Sequence, residues 1–106
     1  MSSMNGVSDI ALGLAVHSCA IDKNDDLWCW GWNNVGQLGL GDETDYFTPT
    51  KVSLMIGVSQ ISLGSLHTCA IDNNEDLWCW GTNSYGQLGL GYNNTHIDTP
   101  TLIDGL

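Results

Sequence analysis

Apolar and polar residues alternate with a period of two along much of the chain, the pattern of strands that bury one face. Val7 to Leu12 sets Val, Asp and Ala against Ser, Ile and Leu, a short strand that Gly13 ends. Ala15 to Asp22 and Asp26 to Gly31 read as the two arms of a hairpin around Lys23-Asn24-Asp25. A three-residue turn whose last residue is left-handed places Asp22 opposite Asp26, Ile21 opposite Leu27, Ala20 opposite Trp28 and Cys19 opposite Cys29. One face then carries Cys19, Ile21, Leu27 and Cys29, and the other Ala20, Trp28 and Trp30. A two-residue turn would shift the pairing by one and send the cysteines to opposite faces, so the first register sorts the side chains better. Trp32 to Thr48 reads as a loop with glycines at 36, 39 and 41. Val52 to Met55 and Val58 to Leu63 read as strands, Leu66 to Gly81 as a second hairpin, and Leu102-Ile103 as the start of another strand.

The pattern is stated twice. His17 to Gly41 returns as His67 to Gly91 with 19 of 25 residues identical. Gly6-Val-Ser-Asp-Ile-Ala-Leu-Gly13 likewise returns as Gly57-Val-Ser-Gln-Ile-Ser-Leu-Gly64, and Thr48-Pro49-Thr50 as Thr99-Pro100-Thr101. A period near fifty residues implies stacked structural units, each unable to bury its apolar face alone. The first unit takes residues 1–56, including a strand that links to the next unit, and the second takes 57–106.

Each copy contains Ile-x-Leu-Gly, then His-x-x-Ala-Ile, then Leu-x-x-Trp-Gly-x-Asn-x-x-Gly-Gln-Leu-Gly, closed by a proline. This resembles the regulator-of-chromosome-condensation repeat and covers nearly the whole chain. The resemblance implies an all-β protein with two four-stranded antiparallel β-propeller blades. Propellers of this family usually have seven blades. The resemblance says little about activity, since a nucleotide-exchange factor for a small GTPase, ubiquitin-ligase domains and bacterial inhibitors share the repeat.

Charge narrows the partners. Twelve acidic residues face only Lys23 and Lys51, a formal net charge of −10. Such a surface repels nucleic acid phosphates and anionic membranes, and suits a basic protein partner or plain solubility. No apolar run has the ~20 residues of a membrane span. The first ten residues lack the basic start and apolar centre of a signal peptide, so the compartment stays open.

Cys19, Cys29, Cys69 and Cys79 form two pairs of identical spacing. In the hairpin register each pair can close a disulfide within a blade, which would suggest an oxidising compartment. Buried free thiols are the alternative, and zinc held with His17 or His67 is a weaker one because the spacing is not that of a zinc knuckle. His17 and His67 read as core or strand-end histidines. Asp22-x-Asn24-x-Asp26 and Asp72-x-Asn74-x-Asp76 resemble the start of calcium loops, but Leu27 and Leu77 replace the expected glycine and Trp30 and Trp80 the later carboxylate position. Solvated turn residues are therefore the preferred reading. Asn93-Asn94-Thr95 is a glycosylation sequon that has meaning only in a secreted protein. The glycines of Gly36-Gln-Leu-Gly-Leu-Gly41 read as turns, since no Lys-Ser/Thr follows.

No group of residues suggests catalysis, a cofactor or a metal site. Trp28, Trp30, Trp78 and Trp80 fall at alternating strand positions and read as filling between blades. Trp32 does not, because the second copy has Thr82 there. Function is expected in what differs between copies, the loops from Trp32 to Phe47 and Thr82 to Asp98. The candidate interaction surface comprises Trp32, Asn34, Tyr46, Phe47, Tyr85, Tyr92 and His96. Two blades expose apolar faces and strand edges. The carboxyl-terminal strand lacks a partner and the amino-terminal strand lacks a predecessor, so either the sequence is a piece of a longer propeller or, the preferred expectation, the last strand of 57–106 is completed by the first strand of a neighbouring copy. A homo-oligomeric ring of three or four chains removes these edges. The reading is a non-enzymatic protein-interaction scaffold. A small-GTPase exchange regulator and a cation-dependent or carbohydrate-binding extracellular module are the alternatives.

Overall fold

The computed structural model describes residues 6–12, 17–83, 88 and 96–103. Two four-stranded antiparallel sheets form, each a meander of four consecutive strands. The first holds β1 (Val7–Leu12), β2 (His17–Asp22), β3 (Leu27–Gly31) and β4 (Tyr46–Lys51). The second holds β5 (Val58–Leu63), β6 (His67–Asp72), β7 (Leu77–Thr82) and β8 (His96–Leu102).

Both hairpins take the three-residue register. Ile21 pairs with Leu27, Ala20 with Trp28 and Cys19 with Cys29, and the second sheet repeats this with Ile71, Ala70 and Cys69 against Leu77, Trp78 and Cys79. The turns close by Asp25 N donating to Asp22 O and Glu75 N donating to Asp72 O. Asp25 and Glu75 sit left-handed at φ 64° and 67°. The opposed cysteines have Cα atoms 4.1 Å apart, in the range of a non-hydrogen-bonded pair, where side chains are closest. Disulfides join Cys19 to Cys29 and Cys69 to Cys79.

The outer strands differ from their expected positions. β4 occupies Tyr46–Lys51, beginning within the end of the stretch read as loop, and Val52 to Met55, read as strand, is a turn. β8 likewise begins at His96 and ends at Leu102, ahead of Ile103. Pro49 and Pro100 sit within these strands because each strand is at a sheet edge and is paired on one side only. Val52 and Met55 are apolar because they are core, not because they alternate in a strand. Val52 N donates to Leu27 O at 2.8 Å, and both side chains pack beneath the first sheet. Each sheet draws its four strands from its own repeat, so neither calls for a strand from another copy to reach four.

The sheets pack face against face. Cys19, Ile21, Leu27 and Cys29 of the first sheet meet Ala70 and Trp80 of the second, with Ile61, Leu63 and Trp78 at the margin. Leu38, Val52, Met55 and Val58 fill the space between. Trp80 is fully buried and lies over Gly39, where a Cβ would stand 2.7 Å from the indole nitrogen and φ is +74°. Only glycine allows both that approach and that backbone. On the far side of the second sheet, Cys79, Leu88 and Ile103 form a separate apolar cluster with Cys69, Leu77 and Ile97.

Candidate interaction surface

The loop between β3 and β4 is held from within by Asn33. Its side-chain oxygen accepts from Leu38 N at 2.9 Å, and its amide nitrogen donates to Asp42 O and Oδ1, both at 2.9 Å. Asn33 N in turn donates to Asp45 Oδ1 at 2.8 Å. Gly36 N donates to Asn33 O and Gly39 N to Gly36 O, so these amides close turns instead of cradling an anion. Asn83 repeats the first of these bonds, accepting from Leu88 N. The asparagine of the repeat thus folds the loop that follows it.

Several predicted surface residues gather on this framework. Trp32 is 54% exposed and Phe47 is 77% exposed, and they flank the pairing of Gly31 with Tyr46. Asn34 is exposed and accepts from Gln37 at 3.3 Å. Tyr46 is half-buried and donates to Asp42 Oδ2 at 2.7 Å, which holds its hydroxyl above the usual tyrosine range. His96 lies 3.9 Å from Glu43 across the junction of the repeats. Tyr85 and Tyr92, and the sequon at Asn93, lie outside the described residues.

Sequence reasoning missed the carboxylates of this ledge. Asp42 organises the loop through Asn33 and Tyr46. The Asp98 carboxyl of β8 beside Glu43 favours a protonated glutamate that could donate to it, and this, more than burial or charge repulsion, raises the Glu43 pKa above the normal glutamate value. Gly41 N donates to Asp98 O at 2.9 Å, tying the two repeats together. The signal was present as the acidic run Asp42-Glu43-Thr44-Asp45. Its nearness to Asp98 arises only when the sheets stack.

The calcium-like sequences are turn caps. Asp22 Oδ1 accepts from Asn24 N and Asp26 N at 2.9 and 3.0 Å, and Oδ2 accepts from Trp28 Nε1 at 2.9 Å. Asp72 makes the same three bonds with Asn74, Asp76 and Trp78. The Asp76 and Trp78 bonds hold the Asp72 carboxyl below the usual aspartate range. Each carboxylate therefore spends both oxygens within its own hairpin. No group of His, Cys, Asp and Glu among the described residues could hold a metal ion. No helix among them is long and apolar enough to cross a membrane.

His17 is the core histidine that its place in the repeat suggested. It is 3% exposed, and its Nε2 lies 3.0 Å from Thr68 Oγ1 in the opposing sheet. Thr68 Oγ1 donates to Gln37 O at 2.6 Å, and Trp80 Nε1 donates to the same carbonyl at 2.9 Å. Burial, reinforced by the neighbouring His67, lowers the His17 pKa to about 4.

Comparison with known proteins agrees with this architecture. Among solved structures, Prp20p from Saccharomyces cerevisiae superposes with a TM-score of 0.87 at 22% identity, covering 99% of this chain and 27% of that one. Human WBSCR16 superposes with a TM-score of 0.80 at 27% identity, covering 97% and 27%. The ultraviolet-B receptor UVR8 of Arabidopsis thaliana is 46% identical over 39 residues, 37% of this chain and 9% of the receptor. The E3 ubiquitin-protein ligase HERC2 of Homo sapiens is 38% identical over 61 residues, 56% of this chain and 1% of the ligase. The chain thus spans under a tenth of these curated relatives and about a quarter of the structural neighbours. The family model of the regulator of chromosome condensation (RCC1) repeat matches residues 24–71 and 74–106, and a second model of that repeat matches 7–37 and 58–87. Two consecutive blades with the repeat's glycines, tryptophans and histidines in place make this chain a member of the RCC1 repeat family.

Proposed function

We propose that the chain is a non-enzymatic protein-interaction scaffold: two propeller blades that assemble with further copies into a ring of three or four and bind a protein partner through inter-blade loops. The observation that carries the reading is the exposed aromatic pair of Trp32, just after β3, and Phe47, in β4, at positions where the second repeat has Thr82 and Asp98. Exposed aromatics of this size mark recognition surfaces more often than bare solubility. The acidic ledge beside them favours a basic partner. Prp20p, which shares the fold, is described by its binding to Gsp1p and histones. By analogy a protein partner is the reading here as well.

Native mass of the whole chain, with and without reductant, tests the ring. A discrete mass of three or four chains is expected, and a folded monomer would overturn self-assembly. Core histones serve as a basic probe for the loop surface. Trp32→Ala and Phe47→Ala should weaken their binding without changing native mass, and unchanged binding would overturn the surface. Exchange activity on a small GTPase is the second reading, which membership of the repeat family allows. Accelerated nucleotide release from a candidate GTPase would support it.

A further inference from the structure

The three carboxylates between β3 and β4 are separated in task by their partners. Asp42 engages both oxygens inside the loop. Its Oδ1 accepts from Asn33 Nδ2 at 2.9 Å and Thr44 N at 3.3 Å, and its Oδ2 from the Tyr46 hydroxyl. Glu43 lies at the seam between the repeats, beside His96 and Asp98. Asp45 differs from both. Its Oδ1 accepts from Asn33 N at 2.8 Å, which fixes the exposed carboxylate against the peptide that follows Trp32. No described residue donates to its Oδ2.

Strand pairing brings an indole to the same place. Gly31 pairs with Tyr46, so Trp32 and Asp45 are the next residues outward on the two adjoining chain segments. The equivalent residues of the second sheet, Thr82 and His96, are strand partners there. The repeat therefore places these two positions side by side but does not require their identities. Trp32 is more than half exposed, and no cation of the chain answers Asp45. Lys51 stands at the far end of β4 and pairs with Asp26 at 3.4 Å, and the Lys23 stem runs beside Gly6.

A guanidinium matches both groups at once. It is planar and weakly hydrated, so it can stack on an indole face while its edge donates to a carboxylate. An ammonium is a compact, strongly hydrated point charge with no flat face to lay on the ring. We propose that Trp32 and Asp45 form a binding site for an arginine side chain of the protein partner. The guanidinium lies on the indole and donates to Asp45 Oδ2. The site rests on the interaction surface proposed above and deepens it by naming the side chain recognised.

Two peptides of equal length and charge, octa-arginine and octa-lysine, test this by calorimetric titration into the full chain at about 0.15 M ionic strength. The wild type is expected to bind octa-arginine roughly fivefold more tightly than octa-lysine. Trp32→Leu and Asp45→Asn should each lower that ratio toward one. Asparagine can still accept from Asn33 N, so Asp45→Asn removes the charge and keeps the loop, with an unchanged melting temperature as the check. Glu75→Gln, in the hairpin turn at the opposite end of the sheets, should weaken both peptides alike and preserve the ratio. A preference that either Trp32→Leu or Asp45→Asn leaves intact overturns the arginine site. Equal affinity for the two peptides, weakened alike by Trp32→Leu, overturns that site and leaves the interaction surface standing. Affinities that Trp32→Leu does not change overturn both.

Discussion

His17 Nε2 and Thr68 Oγ1 stand 3.0 Å apart across the joint of the two sheets, buried from solvent on both sides. Thr68 also donates to Gln37 O, so one hydroxyl links a histidine of the first sheet, a loop carbonyl and the second sheet. Thr68→Val keeps the volume but leaves His17 Nε2 without this partner. It is expected to cost about 1–3 kcal/mol in urea unfolding. Thr68→Ser should be close to neutral, since serine holds the matching position of the first repeat.

The same histidine predicts a pH dependence. Its pKa falls from 6.5 to about 4 on folding, because burial disfavours the charged ring. The unfolded chain therefore takes up the proton first as pH falls, and stability is lost between pH 6.5 and about 4. Burial lowers His67 as well, with the same sign. The depressed Asp72 carboxyl acts in a lower window, its contribution fading only below about pH 4. His17→Gln should reduce the fall in melting temperature between pH 6.5 and 4, leaving the smaller part that His67 contributes, and keep the fall below pH 4 in place.

The two disulfides should respond differently to reductant. Cys19 and Cys29 are fully buried between the sheets, whereas Cys69 is half-buried on the open face. Stepwise reduction with alkylation, read by peptide mass, is expected to label Cys69 and Cys79 first. Each bridge closes a short loop, so replacing either pair by alanine should cost about 2–3 kcal/mol.

Asp22 accepts three hydrogen bonds that hold the first hairpin in register. Asp22→Ala strands two turn amides and a buried indole, and a loss of roughly 2–4 kcal/mol is expected. Millimolar calcium should leave the wild-type melting temperature unchanged, since both carboxylate oxygens are already engaged. Calcium-dependent stabilisation would instead favour the cation-binding module.

Gly39→Ala tests the closeness of the Trp80 contact. The added methyl meets the indole at 2.7–3.1 Å on a backbone of φ +74°. A loss of about 2–4 kcal/mol is expected from strain and overpacking together. Trp80→Phe on the Gly39→Ala background should return part of it.

Much of the fold was legible from local signals. The hairpin register followed from a turn of three residues and from which pairing gathered the apolar side chains on one face. That register set each cysteine pair face to face, and the structure then closed both pairs as disulfides where free thiols had been the alternative. What local signals missed were β4 and β8, whose prolines, polar residues and threonines carry little alternation. An edge strand half exposed to solvent has no need of a buried face, so its sequence reads as loop. Of the surface residues, Trp32 stood out because its repeat counterpart is Thr82. Asp42, Glu43 and Asp98 did not, because their association depends on a stacking that joins residues more than fifty positions apart.

By itself the sequence determined the repeat and the hairpin register that sets each cysteine opposite a partner ten residues away, because those contacts are local. Only the tertiary structure decided which face of each blade is covered. That choice depends on Trp80 and Thr68 reaching Gln37 across the joint, a contact no local period encodes.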